Sequence, residues 1–81
     1  MNTNELLLNL EKLHTTELGI MRIKRNLNLD TGDAVSWCRA RIEAPSAVIT
    51  RNGKNWYIDT DGCTLTVNAS SYTIITAHRK K

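Results

Sequence analysis

Two glycines, nine residues apart, constrain this chain more than any other feature in it. In the stretch "TRNGKNWYIDTDGCTLTVN", Asn52-Gly53 and Asp61-Gly62 are turn dipeptides. Such pairs accept the positive backbone angles that a two-residue hairpin loop demands. A two-residue loop makes its flanking residues partners, so each turn also fixes a register. The first turn sets Arg51 opposite Lys54 and Ile49 opposite Trp56. The second sets Thr60 opposite Cys63, Ile58 opposite Leu65 and Trp56 opposite Val67. Side chains alternate between the faces of a strand. Both turns therefore put Ile49, Trp56, Ile58, Cys63, Leu65 and Val67 on one face. Asn55, Tyr57, Asp59, Thr64, Thr66 and Asn68 share the other. Two independent signals agree, which is what a sequence that specifies one fold should show.

A fourth strand follows in "YTIITAH". Its phase depends on the loop Ala69–Ser71. A three-residue loop turns Ile75 and Ala77 inward and Thr76 and His78 onto the polar face, at the expense of an outward Ile74. A two- or four-residue loop reverses this. The odd loop is expected, because it keeps His78 out of the core.

Upstream of Ser46 the apolar period is helical. Residues 2–13 place Leu6, Leu10 and Leu13 on one stripe, with Leu7 beside it and Leu8 on the far side. Asn2 and Glu5 are spaced as a capping box. In "TTELGIMRIKRNL", Thr15 or Thr16 caps a helix whose stripe is Ile20, Ile23 and Leu27. Leu18, Met21, Arg22 and Arg25 point away from that stripe, and Gly19 weakens the helix. "DTGDAVSWCRARIEAP" predicts a third helix, capped by Asp30 or Thr31, with Asp33 in its first turn. Val35, Cys38 and Ile42 form its stripe, Trp37 lies off it, and Pro45 ends it. The expected architecture is α+β. Three N-terminal helices (2–44) pack on one face of a four-stranded antiparallel meander (46–79), in a single domain spanning 1–81.

With 81 residues, a chain buries only ~60–65% of its unfolded surface, so oligomerisation would help it. The net charge of +3 is mildly basic and compatible with a nucleic-acid or nucleotide partner. Cys38 and Cys63 lack the spacing of a zinc site or a disulfide framework and read as small buried hydrophobes. No metal or cofactor motif is visible. The early leucines are interrupted by Asn9, Glu11 and Lys12, unlike a signal peptide, and no apolar run is long enough to span a bilayer. A cytoplasmic setting is expected, and in it the acceptor pattern Asn68-Ala69-Ser70 carries no meaning.

A solvated, threonine-rich sheet face needs no function, since threonine is a good strand former. Yet basic residues cluster around Arg22/Lys24/Arg25, from Arg39 to Lys54, and at Arg79/Lys80/Lys81. If these converge, they frame an anion site. Metal-independent RNA cleavage needs an acid/base group and cations for the developing charge. Histidine changes charge near neutral pH, so His78 is the candidate acid/base. Thr76 and Tyr57 would orient a phosphate. Arg22, Arg25, Lys54, Arg51, Thr66 and Arg79 would bind the anion. His14 reads as a solvated residue at a helix end. The alternative is a protein-interaction module or homo-oligomer using Leu18, Met21, Arg22, Arg25 and Trp37.

The segments "TTELGIMRIKRNLNL", "DAVSWC" and "GKNWYIDTDGCTLTVNASSYTIITAH" resemble a family of short bacterial and phage proteins known only as a domain of unknown function. The family implies no activity, though its occurrence in phages implies an inhibitor of a host defence system, acting by binding alone. A looser resemblance is to the barnase–EndoU–colicin–RelE-like ribonuclease fold, through the ending that carries Thr73, Thr76 and His78. It implies helices before a four-stranded meander and a ribonuclease activity. A second well-placed histidine or a glutamate base is missing from the pattern.

Overall fold

The computed structural model describes residues 4–28, 32–60 and 62–79. Its elements run α1 (Asn4–Leu8), a 3-10 turn (Leu10–Lys12), α2 (Glu17–Leu27), α3 (Ala34–Glu43), β1 (Val48–Asn52), β2 (Asn55–Thr60), β3 (Cys63–Asn68) and β4 (Ile74–Arg79). The strands form one sheet, paired antiparallel in the order β1-β2-β3-β4. The chain is thus α+β, with its helices before its sheet.

The helix expected over residues 2–13 is broken. The Asn9 side chain donates to the Glu5 carbonyl at 2.8 Å, and beyond it the backbone tightens into the 3-10 turn. This competition for helix carbonyls is why asparagine ends helices. Leu6, Leu10 and Leu13 are buried regardless, and Leu8 is exposed. The Asn2 cap lies outside the described residues. α2 begins as expected, with the Thr16 hydroxyl accepting from Gly19 N–H at 3.0 Å. Asn28 closes it in the left-handed conformation. α3 begins later than its sequence suggests. Its cap is Asp33, which accepts from the Ser36 N–H at 3.0 Å and the Ser36 hydroxyl at 2.8 Å. Asp30 and Thr31 lie outside the described residues. The buried stripe is Ala34, Cys38 and Ile42, with the expected Val35 half-buried beside it.

The second hairpin has the expected register, with Thr60 opposite Cys63, Ile58 opposite Leu65 and Trp56 opposite Val67. The first is displaced by one residue. Its loop is Gly53–Lys54, Asn52 faces Asn55, and Arg51 faces Trp56 rather than Lys54. Ile49 accordingly faces Ile58 rather than Trp56. Among the loop residues only Gly53 has a positive φ, 65°. A turn with glycine first needs the positive angle once, whereas an Asn-Gly turn of the mirror type needs it twice. The displacement changes partners by two positions, so each side chain keeps its expected face.

β4 carries the larger correction. Thr66 faces Thr76 but Val67 faces Ile74, so Ile75 is an extra residue, a β-bulge. Ile74 and Ala77 are both buried, and Ile75 is exposed. The expected inward Ile75 and outward Ile74 are therefore exchanged. A regular strand cannot turn residues 74 and 77 the same way, and the bulge supplies the missing phase. Either phase buries one isoleucine with Ala77, and the bulge makes that isoleucine Ile74, opposite the buried Val67.

One core joins Leu6, Leu10, Leu13, Ile23, Leu27, Cys38 and Ile42 to Trp56, Ile58, Leu65, Val67 and Ile74. α2 lies against β4 and α3 against β2. Both cysteines are free and buried. Burial pushes the Cys38 thiol up to about 12, with Cys63 adding to the effect. Among the described residues no helix is long and apolar enough to cross a membrane.

Candidate functional site

The sheet face opposite Trp56 consists of cross-strand rows. Thr50, Tyr57, Thr66 and Thr76 form a central row across all the strands. Val48, Asp59, Thr64 and His78 form the row beside it. Asn52, Asn55 and Asn68 form a third. Thr64 donates to Asp59 Oδ1 at 2.9 Å. Asn55 Nδ2 contacts the Tyr57 hydroxyl at 3.4 Å. Thr66 is buried at the centre of its row, Thr76 is half-buried, and Tyr57 and His78 are exposed. The sequence-predicted set Tyr57, Thr66, Thr76 and His78 is thus on one surface.

Two of the arginines expected beside that surface are directed elsewhere. Arg79 pairs with Cys63, one residue out of phase with His78, and its Nη2 donates to the Leu27 carbonyl at 2.8 Å. It satisfies an open carbonyl at the C-terminus of α2, where a cation is also favoured by the helix dipole. Arg51 lies on the Trp56 face. Its guanidinium is 5.6 Å from the indole centroid, and its Nε donates to the Gly53 carbonyl at 3.0 Å. Lys54 is exposed in the first loop. Arg22 and Arg25 are exposed on α2. Asp59 stands within the polar rows instead, a charge of the wrong sign for an anion.

α2 carries the second candidate surface. Leu18, Met21, Arg22 and Arg25 are spaced i, i+3, i+4 and i+7, which is one helical face. Leu18 is 66% exposed and Met21 57%. Gly19, on the inner side, is buried. A β-carbon there would collide with the Thr15 hydroxyl, which donates to the Ile74 carbonyl at 2.9 Å. The glycine that weakens the helix in isolation leaves room for the Thr15 hydroxyl to reach the β4 backbone. Trp37, half-buried against the core, carries the Arg41 guanidinium 5.4 Å from its ring.

A third cluster escapes the sequence reading. His14 is not a solvated helix end, because Leu13 is extended and carries the chain alongside β4. His14 forms a parallel bridge to Thr73 through Ile74 N–H to its carbonyl (2.8 Å) and its own N–H to the Tyr72 carbonyl (3.2 Å). Its Nδ1 lies 2.9 Å from the Lys12 carbonyl and its Nε2 3.0 Å from Thr73 Oγ1. A carbonyl can only accept, so Nδ1 donates, and in the neutral ring Nε2 accepts from the Thr73 hydroxyl. Beside it Tyr72 holds φ 60°, unusual for a bulky residue. Its ring is 5.3 Å from that of Trp56, and Lys12 Nζ stands 5.5 Å from its centroid. The legible signal was the β-branched pair Thr15-Thr16, which suits an extended crossing between helices.

The chain belongs to a family described as "Protein of unknown function (DUF3781)", whose family model matches residues 7–78. No curated protein and no solved structure matches it.

Proposed function

We propose, with no activity to inherit from its family, that the chain is a non-enzymatic interaction module whose contact surface is the outer stripe of α2. The observation that carries this is the joint exposure of Leu18 and Met21 on a face shared with Arg22 and Arg25. Large apolar side chains in water are ready for burial, and flanking guanidiniums select an acidic surface. In this reading the helices cover the Trp56 side of the sheet and hold α2 rigid, and the setting is a reducing cytoplasm. An inhibitor that acts by occupying a partner would need nothing more. The test is capture of binding proteins by wild type, by Leu18→Glu/Met21→Glu, and by Thr66→Ala. A partner lost only with the α2 variant is the expected result, with affinity reduced by at least about tenfold. A partner held equally by all three removes the reading.

A second reading is favoured by the exposed Tyr57 within a hydroxyl row that ends beside His78. An aromatic ring on a sheet face can stack a base of single-stranded RNA. RNA or a nucleotide-like anion would then lie across Tyr57, Thr66 and Thr76. His78 would be the acid/base group, and Lys54, exposed in the first loop, would supply charge. RNA cleavage under chelator, lost in His78→Ala, supports it. Wild type inert on RNA, with binding insensitive to salt, removes it.

A further inference from the structure

We propose that β1 pairs with β1 of a second copy, antiparallel about a two-fold axis at Thr50. β1 ends the sheet, and Ile49 is its one half-buried residue, the others being exposed. Natural edge strands are usually blunted by proline, lysine or a bulge. β1, "VITRN", has none of these. Its one charged residue, Arg51, folds back over Trp56.

The direction of the backbone groups follows from the turn. A two-residue loop is closed by a hydrogen-bonded pair, here Asn52 and Asn55, and hydrogen-bonded pairs alternate with open ones from there. Asn52, Thr50 and Val48 thus turn their backbone groups to β2. Ile49 and Arg51 turn theirs to the open edge. The row ends at Ala47, whose N–H is bonded to the Ala44 carbonyl at 3.0 Å.

Self-pairing in this row has three simple centres. Centring on Ile49 sets Arg51 against Ala47, where that donor is already engaged. Centring on Arg51 sets two guanidiniums face to face and spends Ile49 on the turn glycine. Centring on Thr50 sets Ile49 of each copy against Arg51 of the other, so outward groups meet outward groups and like charges stay apart. Val48 then faces Asn52. A foreign strand could satisfy the same backbone, but a second copy brings the complementary side chains with it. The chain is also short enough to gain from the added burial. The central row of Thr50, Tyr57, Thr66 and Thr76 becomes continuous across both copies. The proposal does not rest on the α2 stripe, which lies on another element.

The test uses the full chain. Sedimentation over a concentration series should show a monomer–dimer equilibrium. Thr50 would face its own copy in a non-hydrogen-bonded pair, with Cα atoms about 4.5 Å apart, within disulfide reach. Thr50→Cys should therefore cross-link under mild oxidation at least about tenfold faster than Asn52→Cys, which would face Val48. The native thiols, both buried, do not compete. Arg51→Pro removes an outward N–H and should give a monomer, while Arg51→Ala should still dimerise. A monomer at every concentration overturns the proposal. So does a dimer that survives Arg51→Pro, or one in which the two cysteine variants cross-link alike. If circular dichroism shows Arg51→Pro unfolded, the cysteine pair decides alone.

Discussion

The two edges of the sheet answer the same problem differently. At β4 the open backbone is met by other parts of the chain. His14 bridges its start, the Thr15 hydroxyl takes the Ile74 carbonyl, Ile75 bulges out, and α2 lies against the strand. At β1 the strand pairs without a bulge, and most of its residues face water. An edge sealed from within its own chain is a structural element, whereas an edge left open is a surface. The lesson is that the N-terminal third acts on the sheet through short polar links as well as through its leucines.

The contrast can be broken or sharpened by substitution. Ile74→Ala should have the largest effect, about 2–5 kcal/mol of stability by urea denaturation, because Ile74 is buried at the sealed edge. Val48→Ala at the open edge should stay within about 0.5 kcal/mol. Similar losses at both would abolish the distinction. Gly19→Ala comes next, and its sign is diagnostic. Helix propensity alone predicts a gain of about 1 kcal/mol. The clash with the Thr15 hydroxyl predicts a loss of about 1–3 kcal/mol instead, with faster amide exchange at Ile74. His14→Ala should cost about 0.5–1.5 kcal/mol and deprotect the start of β4 more than β1.

Titration touches neither edge, and near neutral pH its effects are the smallest. The Ser36 N–H, and then the Ser36 hydroxyl, hold the Asp33 carboxyl below its ordinary value of 3.8. Its folded value is depressed, so its contribution is present above the unfolded value and is lost on acidification below it. It should be slight at so exposed a position and absent in Asp33→Asn. Cys38 works in the opposite sense. Its folded value is raised, so its contribution is intact below about 9.0 and is lost toward about 12, as the unfolded chain gains a thiolate that the folded core refuses. Thermal denaturation at stepped pH checks both, with Cys38→Ala as the control.

The second hairpin was fully legible, because Asp61-Gly62 and the alternation around it are local signals. So was the outward face of α2, which helical spacing defines without tertiary knowledge. The first hairpin was legible in phase but not in partner, since Gly53 can serve either central position of its turn. β4 was misread where alternation fails. Nothing local shows that Ile74 and Ala77 share a side, because the bulge that unites them is selected by the core they enter. The charge pattern misled for a related reason. Arg51 and Arg79 look like members of basic clusters in one dimension, but strand phase sends both to the Trp56 side. His14 was missed because its partner, Thr73, is 59 residues away.

The unpaired residue at position 75 has a consequence for how this strand tolerates insertion and deletion. It works as a phase shifter: everything after it is inverted relative to a strictly alternating ribbon, and that inversion alone presents His78 outward. Excising Ile75 would hand its place to Thr76 with every remaining partnership conserved. Excising Thr76 instead would set Ile75 opposite Thr66, with Ala77 and His78 on their present faces and an aliphatic in place of a hydroxyl in the central row. The strand is thus expected to accept the loss of either residue between Ile74 and Ala77 without turning the imidazole inward.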